Sequence, residues 1–240
     1  MPDAPTPRRR FVGQVLGGAA AMAAAPLLPV LDAQAGAQAP AGAAAPQTQW
    51  DMSWVDRITG PHRMVFDAPE IASGTVLHQA RNWMTGTAEV YGAKEAEIHA
   101  VLVIRHGAVP MVLPDSYWEK YDLATQIAEQ SEDKEPLKDP TTGEPTKRNP
   151  YINYKQGDRH WSTWPDAGLD TLIGRGAIVL ACHLALRGMA SGFARRDERP
   201  VNEVYAELRA NLLPGVTVMP NGIFAVGRAQ AAGCGYIRAT

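Results

Sequence analysis

The segment His99 to Ile104 (HAVLVI) is apolar at nearly every position, and it does most to narrow what this chain can fold into. A half-buried strand alternates apolar and polar residues. An unbroken run fits a strand covered on both faces, as in a parallel sheet packed between helices. Other segments fit the same scheme. Arg63 to Asp67 reads as a strand closed by Ala68-Pro69, and Ala177 to Ala181, Val216 to Met219 and Gly235 to Arg238 read as three more. Helical patterns separate them, so the expected class is an α/β fold with a mostly parallel five-stranded sheet. Strand order is not readable from these patterns.

The helices carry their own signals. Ser73 is placed to cap a helix whose apolar positions Val76, Leu77, Ala80, Trp83 and Met84 share one face, with Gly86 and Gly92 marking its return. A helix is expected around Asp115 to Ala128 and a short one from Asp166 to Ile173. Pro200 suits a first helical position, before a stripe of Val201, Val204, Tyr205, Leu208 and Leu212. Gly222 to Ala232 forms a last helix, stopped by Gly233. Between about 129 and 164 lies an insertion, charged and proline-rich at first (SEDKEPLKDPTTGEPTKRNP) and then aromatic, with Tyr151, Tyr154, His160, Trp161 and Trp164. Its charged half reads as solvated, and its aromatic half as a lid over the sheet edge or a pad between subunits.

The first forty residues set the compartment. Arg8-Arg9-Arg10-Phe11-Val12 precedes a weakly hydrophobic Gly/Ala-rich stretch. Small-residue cleavage sites follow at Ala33-Gln34-Ala35 and Ala37-Gln38-Ala39. This resembles a twin-arginine export signal removed on maturation. Pro26 and Pro29 make the stretch a poor spanning helix, so no stable membrane insertion is expected. The expectation is a periplasmic protein: signal peptide 1–39, flexible leader 40–59, and a single domain over 60–240. Of 23 basic and 25 acidic side chains, Arg8, Arg9, Arg10, Asp3 and Asp32 fall in the signal, which leaves the remainder mildly acidic. With no basic stripe or zinc-spaced cysteines, nucleic acid is not an expected partner.

The chain has two cysteines. Cys182 ends an apolar run and His183 opens a helix, so the thiol sits at a strand's carboxyl edge, where open α/β sheets bind ligands. A helix N-terminus also favours a thiolate there. The bland alternative is a small buried hydrophobe. Cys234 precedes its strand, so parallel strands put the two thiols at opposite sheet edges, too far apart to bridge. The same logic collects Asp67, His106, His183, Asn221 and Gly222 at the edge bearing Cys182. His106, coming from another strand end, is the better placed histidine to hold a thiolate or shuttle protons.

Three blocks, HAVLVIRHGAVPM, AIVLACHLALRG and LLPGVTVMPNGIFAVGRAQAAGCGYIRA, resemble the DsrE/DsrF-like family in content and order. The resemblance spans about 60–128 and 165–240, and it implies a three-layer α/β/α fold. Several members relay sulfur as a persulfide on the cysteine matching Cys182 and form homo- or hetero-oligomers. The resemblance therefore implies a homo-oligomer with a sulfur donor or acceptor protein as partner. The export signal and the insertion depart from the family pattern. Two readings follow: sulfane-sulfur or thiol chemistry at Cys182 with His106 and Asp67 tuning it, or a non-enzymatic oligomeric module binding a small ligand or partner. A metal site from His78, His106, His160, His183 or Cys182 is the weakest reading, because no pair has ligand spacing. No cofactor is expected.

Overall fold

Five strands pair in the order β4-β3-β2-β1-β5, every pair parallel. They are β1 (His62–Ala68), β2 (Ile98–Ile104), β3 (Ile178–Cys182), β4 (Val216–Met219) and β5 (Gly235–Arg238). The computed structural model describes residues 50–129, 134–158 and 162–240. The expected signal and the first part of the leader lie outside these residues. The α/β class anticipated from the strand runs is the one observed. Central β2 is buried at all seven positions, because helices cover both its faces.

The connections explain those two faces. Between β1 and β2 runs α1 (Thr75–Tyr91), and between β2 and β3 run α2 (Asp115–Tyr121), α3 (Leu123–Glu129) and α4 (Leu169–Gly174). From β3 to β4 the chain passes through α5 (His183–Arg196) and α6 (Val201–Ala210). These six helices share one core with Phe66, Leu102, Ile104 and Val179. The chain then reverses direction across the sheet. A right-handed crossover from β4 to β5 must take the other face, and α7 (Gly222–Ala231) does so, packing Ala225 and Ala229 with Val65, Val103 and Leu180.

Several expectations shift. Ser73 does not cap α1. It lies in a left-handed run with Ala72 and Gly74 (φ 42°, 56° and 82°), and Gly74 is the N-cap. The Thr75 hydroxyl reaches back instead, donating to Ala72 O at 2.6 Å. Gly86 lies inside α1, and Gly92 alone ends it in the left-handed conformation that glycine adopts freely. Pro200 is the N-cap of α6, whose first helical residue is Val201. Residues 50–59, expected as leader, belong to the domain: Trp54 is fully buried on the α7 face, its Nε1 donating to Met219 Sδ.

The insertion is docked where it is described. Tyr151 and Ile152 join the α1–α6 core. The buried Asn149 side chain donates to Met111 O and Leu113 O and accepts from Tyr151 N, at 2.8–2.9 Å. Arg148 pairs with Asp139 and Asp158. Trp164 stacks on His78 of α1 at 4.4 Å between ring centroids. His160 and Trp161 lie outside the described residues.

Candidate functional site

Adjacent strands β3 and β4 send their chains to opposite faces of the sheet, β3 into α5 and β4 into α7. Where neighbouring connections diverge in this way, a crevice opens beyond the carboxyl ends of the strands. Cys182 is the N-cap of α5, in extended conformation, and Asn221 is the N-cap of α7. The Asn221 side chain is committed to its helix, accepting from Phe224 N at 2.8 Å. Two helix N-termini thus flank the crevice, each with its positive partial charge.

The crevice has a volume of about 870 Å³, and Cys182, His106, Asn221 and Gly222 all line it. His106 is exposed there, in a left-handed conformation (φ 47°) at the turn from β2 into the helical segment His106–Val112. Asp67 and His183 do not line it. Asp67 stands behind the wall, and His183 is a correction. As the first residue of α5 its ring turns to α6, where Nδ1 shares a 2.5 Å hydrogen bond with Tyr205 Oη. Trp50 meets the ring edge-to-face. Burial, with Arg187 and Arg209 nearby, pushes the His183 pKa down.

Arg105, next to His106, is the lining residue that the sequence did not single out. Its guanidinium forks onto buried Asp67, Nε to Oδ1 at 2.6 Å and Nη2 to Oδ2 at 2.9 Å, and Tyr236 of β5 donates to Asp67 Oδ2 at 3.0 Å. Burial alone would raise the Asp67 pKa. The hydrogen bonds from Arg105 and Tyr236, with the charges of Arg105 and Arg238, outweigh it and hold the carboxyl below its ordinary value. Arg105 is in turn held more firmly protonated, first by its hydrogen bond to Asp67, and the Cys182 thiol is among the groups acting on it. Asp67 therefore acts on the crevice through Arg105. The only sequence signal was an arginine directly after a strand apolar at nearly every position.

Gly222 completes this wall because it has no side chain. A Cβ there would come within 2.5 Å of Arg105 Cδ and 2.7 Å of its Cβ. Gly222→Ala is expected to displace the Arg105 stem and cost about 1–3 kcal/mol as an overpacked site. A thermal melt checks this, and an unchanged Tm would show that the contact is slack.

The two thiols are both free and buried. They lie at opposite edges of the sheet and on strands three positions apart, a lateral separation of about 14 Å. The Cys234 pKa is raised by burial, with Arg63 opposing. Among the described residues no three His, Cys, Asp or Glu side chains converge as a metal site. None of the described residues of the insertion lines the crevice, so in those residues it forms no lid. Among the described residues no helix is long and apolar enough to cross a membrane.

Neither a protein-family model nor a curated protein matches the sequence. A match exists to one solved structure, that of a protein of unknown function, MTH1491, from Methanobacterium thermoautotrophicum. It is 18% identical with a TM-score of 0.37, and the match covers 74% of this chain and 98% of that chain.

Proposed function

We propose that this is an exported DsrE/F-like protein that accepts and passes on sulfane sulfur through Cys182. One observation carries the reading: Cys182 caps α5 at the strand edge and opens on a crevice at the point where the chain's connections diverge. The N-terminus of α5, with its positive partial charge, and the Arg105 guanidinium both stand at that position. In the forward step the Cys182 thiolate attacks the outer sulfur of a persulfide R–S–SH. The new S–S bond forms as the old one breaks, the proton moves to the departing R–S⁻, and the products are the Cys182 persulfide anion and R–SH. No external oxidant or reductant is required. His106, at the same mouth, is the group placed to carry that proton. Asp67 is a positioning residue, acting through Arg105.

Export by the twin-arginine route to the periplasm belongs to the same proposal and is supported by Arg8-Arg9-Arg10 and the small-residue sites that follow. Oligomerisation is its natural companion: Leu184 and Ile223, which line the crevice, stand exposed by 62% and 66%, and Phe224, next to Ile223, by 39%. Those same side chains favour a second reading, an oligomeric module that binds a ligand or partner without chemistry.

Exposure to polysulfide separates the two. Intact-mass analysis is expected to show added sulfur on wild type and none on Cys182→Ser, with Cys234 as the internal control. Absence of an adduct from any sulfur donor, or an adduct that survives Cys182→Ser, would overturn the sulfur reading. Retained ligand or partner with Cys182 inert to alkylation would establish the second.

A further inference from the structure

The crevice is longer than the proposed chemistry needs. From the thiol it continues along one side of α5, past Ala185, Gly188, Met189 and Gly192, to Phe193. Its opposite wall is Leu123 and Ile127 of α3. Between Ala185 and Phe193, at 1.5 Å per helical residue, this arm is about 12 Å long. Most polar lining residues lie at the other end, with Cys182, Arg105, His106 and Asn221. On the α3 wall Gln126 is polar, and its amide nitrogen is already committed, donating to Tyr121 O at 2.6 Å. One end can therefore take a reacting, charge-bearing head, and the rest, Gln126 apart, offers mainly hydrocarbon contacts. The volume, about 870 Å³, lies in the range of sites for organic molecules.

Two glycines keep the arm open. A Cβ at Gly188 or Gly192 would meet no atom within 4 Å, so neither is glycine for lack of space in the native packing. Each lies mid-helix, where glycine is unfavourable by about 1 kcal/mol relative to alanine. Larger side chains there would extend into the groove. The far end is closed by Phe193, stacked face to face on Tyr121.

We infer that the natural sulfur partner of Cys182 has an unbranched aliphatic arm, an organic persulfide R–S–SH as donor or the thiol R–SH as acceptor, bound with its sulfur at Cys182 and its chain along α5. An extended chain covers about 3.5 Å per three bonds, so a 12 Å arm corresponds to about ten bonds. The inference rests on the proposed thiol chemistry at the head of the groove and adds the substrate class. The step balances as above, with R now an alkyl group held by α3 and α5.

The test uses the purified full chain and two donors at equal sulfane sulfur, n-octyl persulfide and inorganic polysulfide. Wild type is expected to load Cys182 at least tenfold faster from the octyl donor. Gly188→Leu and Gly192→Leu are expected to erase that preference while loading from polysulfide and the Tm are maintained, because leucine is a good helix former. Equal rates from both donors, or a preference that survives in both filled variants, would overturn the inference. A second arm is independent of the chemistry: calorimetric binding of n-octanethiol to Cys182→Ser, expected to weaken at least tenfold when Gly192→Leu is added. If neither donor loads Cys182, the sulfur reading fails, and the groove assignment is decided by octanethiol alone. If octanethiol does not bind, the groove assignment fails even where polysulfide loads the thiol.

Discussion

Asp67→Ala is expected to destabilise the protein by about 3–5 kcal/mol, the penalty for leaving one member of a buried ion pair without its counter-charge. Asp67 and Arg105 have only 5% and 14% of their side chains exposed, so water cannot replace the lost partner. Tyr236 loses its acceptor in the same change. Denaturant titration is the measurement, and a loss below 1 kcal/mol would show that the pair is effectively solvated. The pair also gives a pH signature. The folded Asp67 pKa lies below the ordinary value of 3.8. Its contribution is therefore complete above that ordinary value and is lost as pH falls through the lower, folded one. Wild-type stability should decline on acidification below about pH 4. Asp67→Asn should make that decline shallower, and an unchanged slope would remove Asp67 as its source.

Asn149→Ala has the second largest expected effect, about 3 kcal/mol, and it is local. The side chain makes three hydrogen bonds, each worth about 1 kcal/mol net, and two of its acceptors are backbone carbonyls left buried. The loss falls where residues 146–153 attach to the segment following β2. At about 1.4 kcal/mol per decade, the opening equilibrium of the insertion should rise about a hundredfold. Limited proteolysis within residues 134–158 reads this directly, with Cys182 alkylation as a control outside the affected region. Cleavage no faster than in wild type would mean that Tyr151 and Ile152 hold the insertion unaided.

The strands were legible because burial on both faces leaves runs such as IHAVLVI and IVLAC, buried at every position. Their order was not, since nothing in a fully apolar strand names its neighbour. The importance of Arg105 depends on that order. Only when β1 lies beside β2, with Ala68 opposite Ile104, can an arginine leaving β2 fold back onto Asp67. The meeting of Cys182, His106, Asn221 and Gly222 followed from parallel strands alone. His183 did not follow, because a helix turns about 100° per residue and the next side chain along faces α6. Ser73 misled for a related reason: a serine before an apolar stripe has the composition of a cap, but its own backbone, at φ 56°, is turned the wrong way to serve as one.

The place of β5 bears on the order in which the molecule is built. It docks on the outer edge of β1, and the Tyr236–Asp67 bond joins residues 169 apart in the chain. Strands β1 to β4 add one beside the next, each within reach of the one before. Until residues 235–238 arrive, β1 presents an open row of backbone donors and acceptors, a template on which a second nascent chain can pair. A closure this non-local is slow compared with the local steps. The assembly of the Arg105 wall therefore coincides with the moment at which the most vulnerable edge of the sheet is sealed.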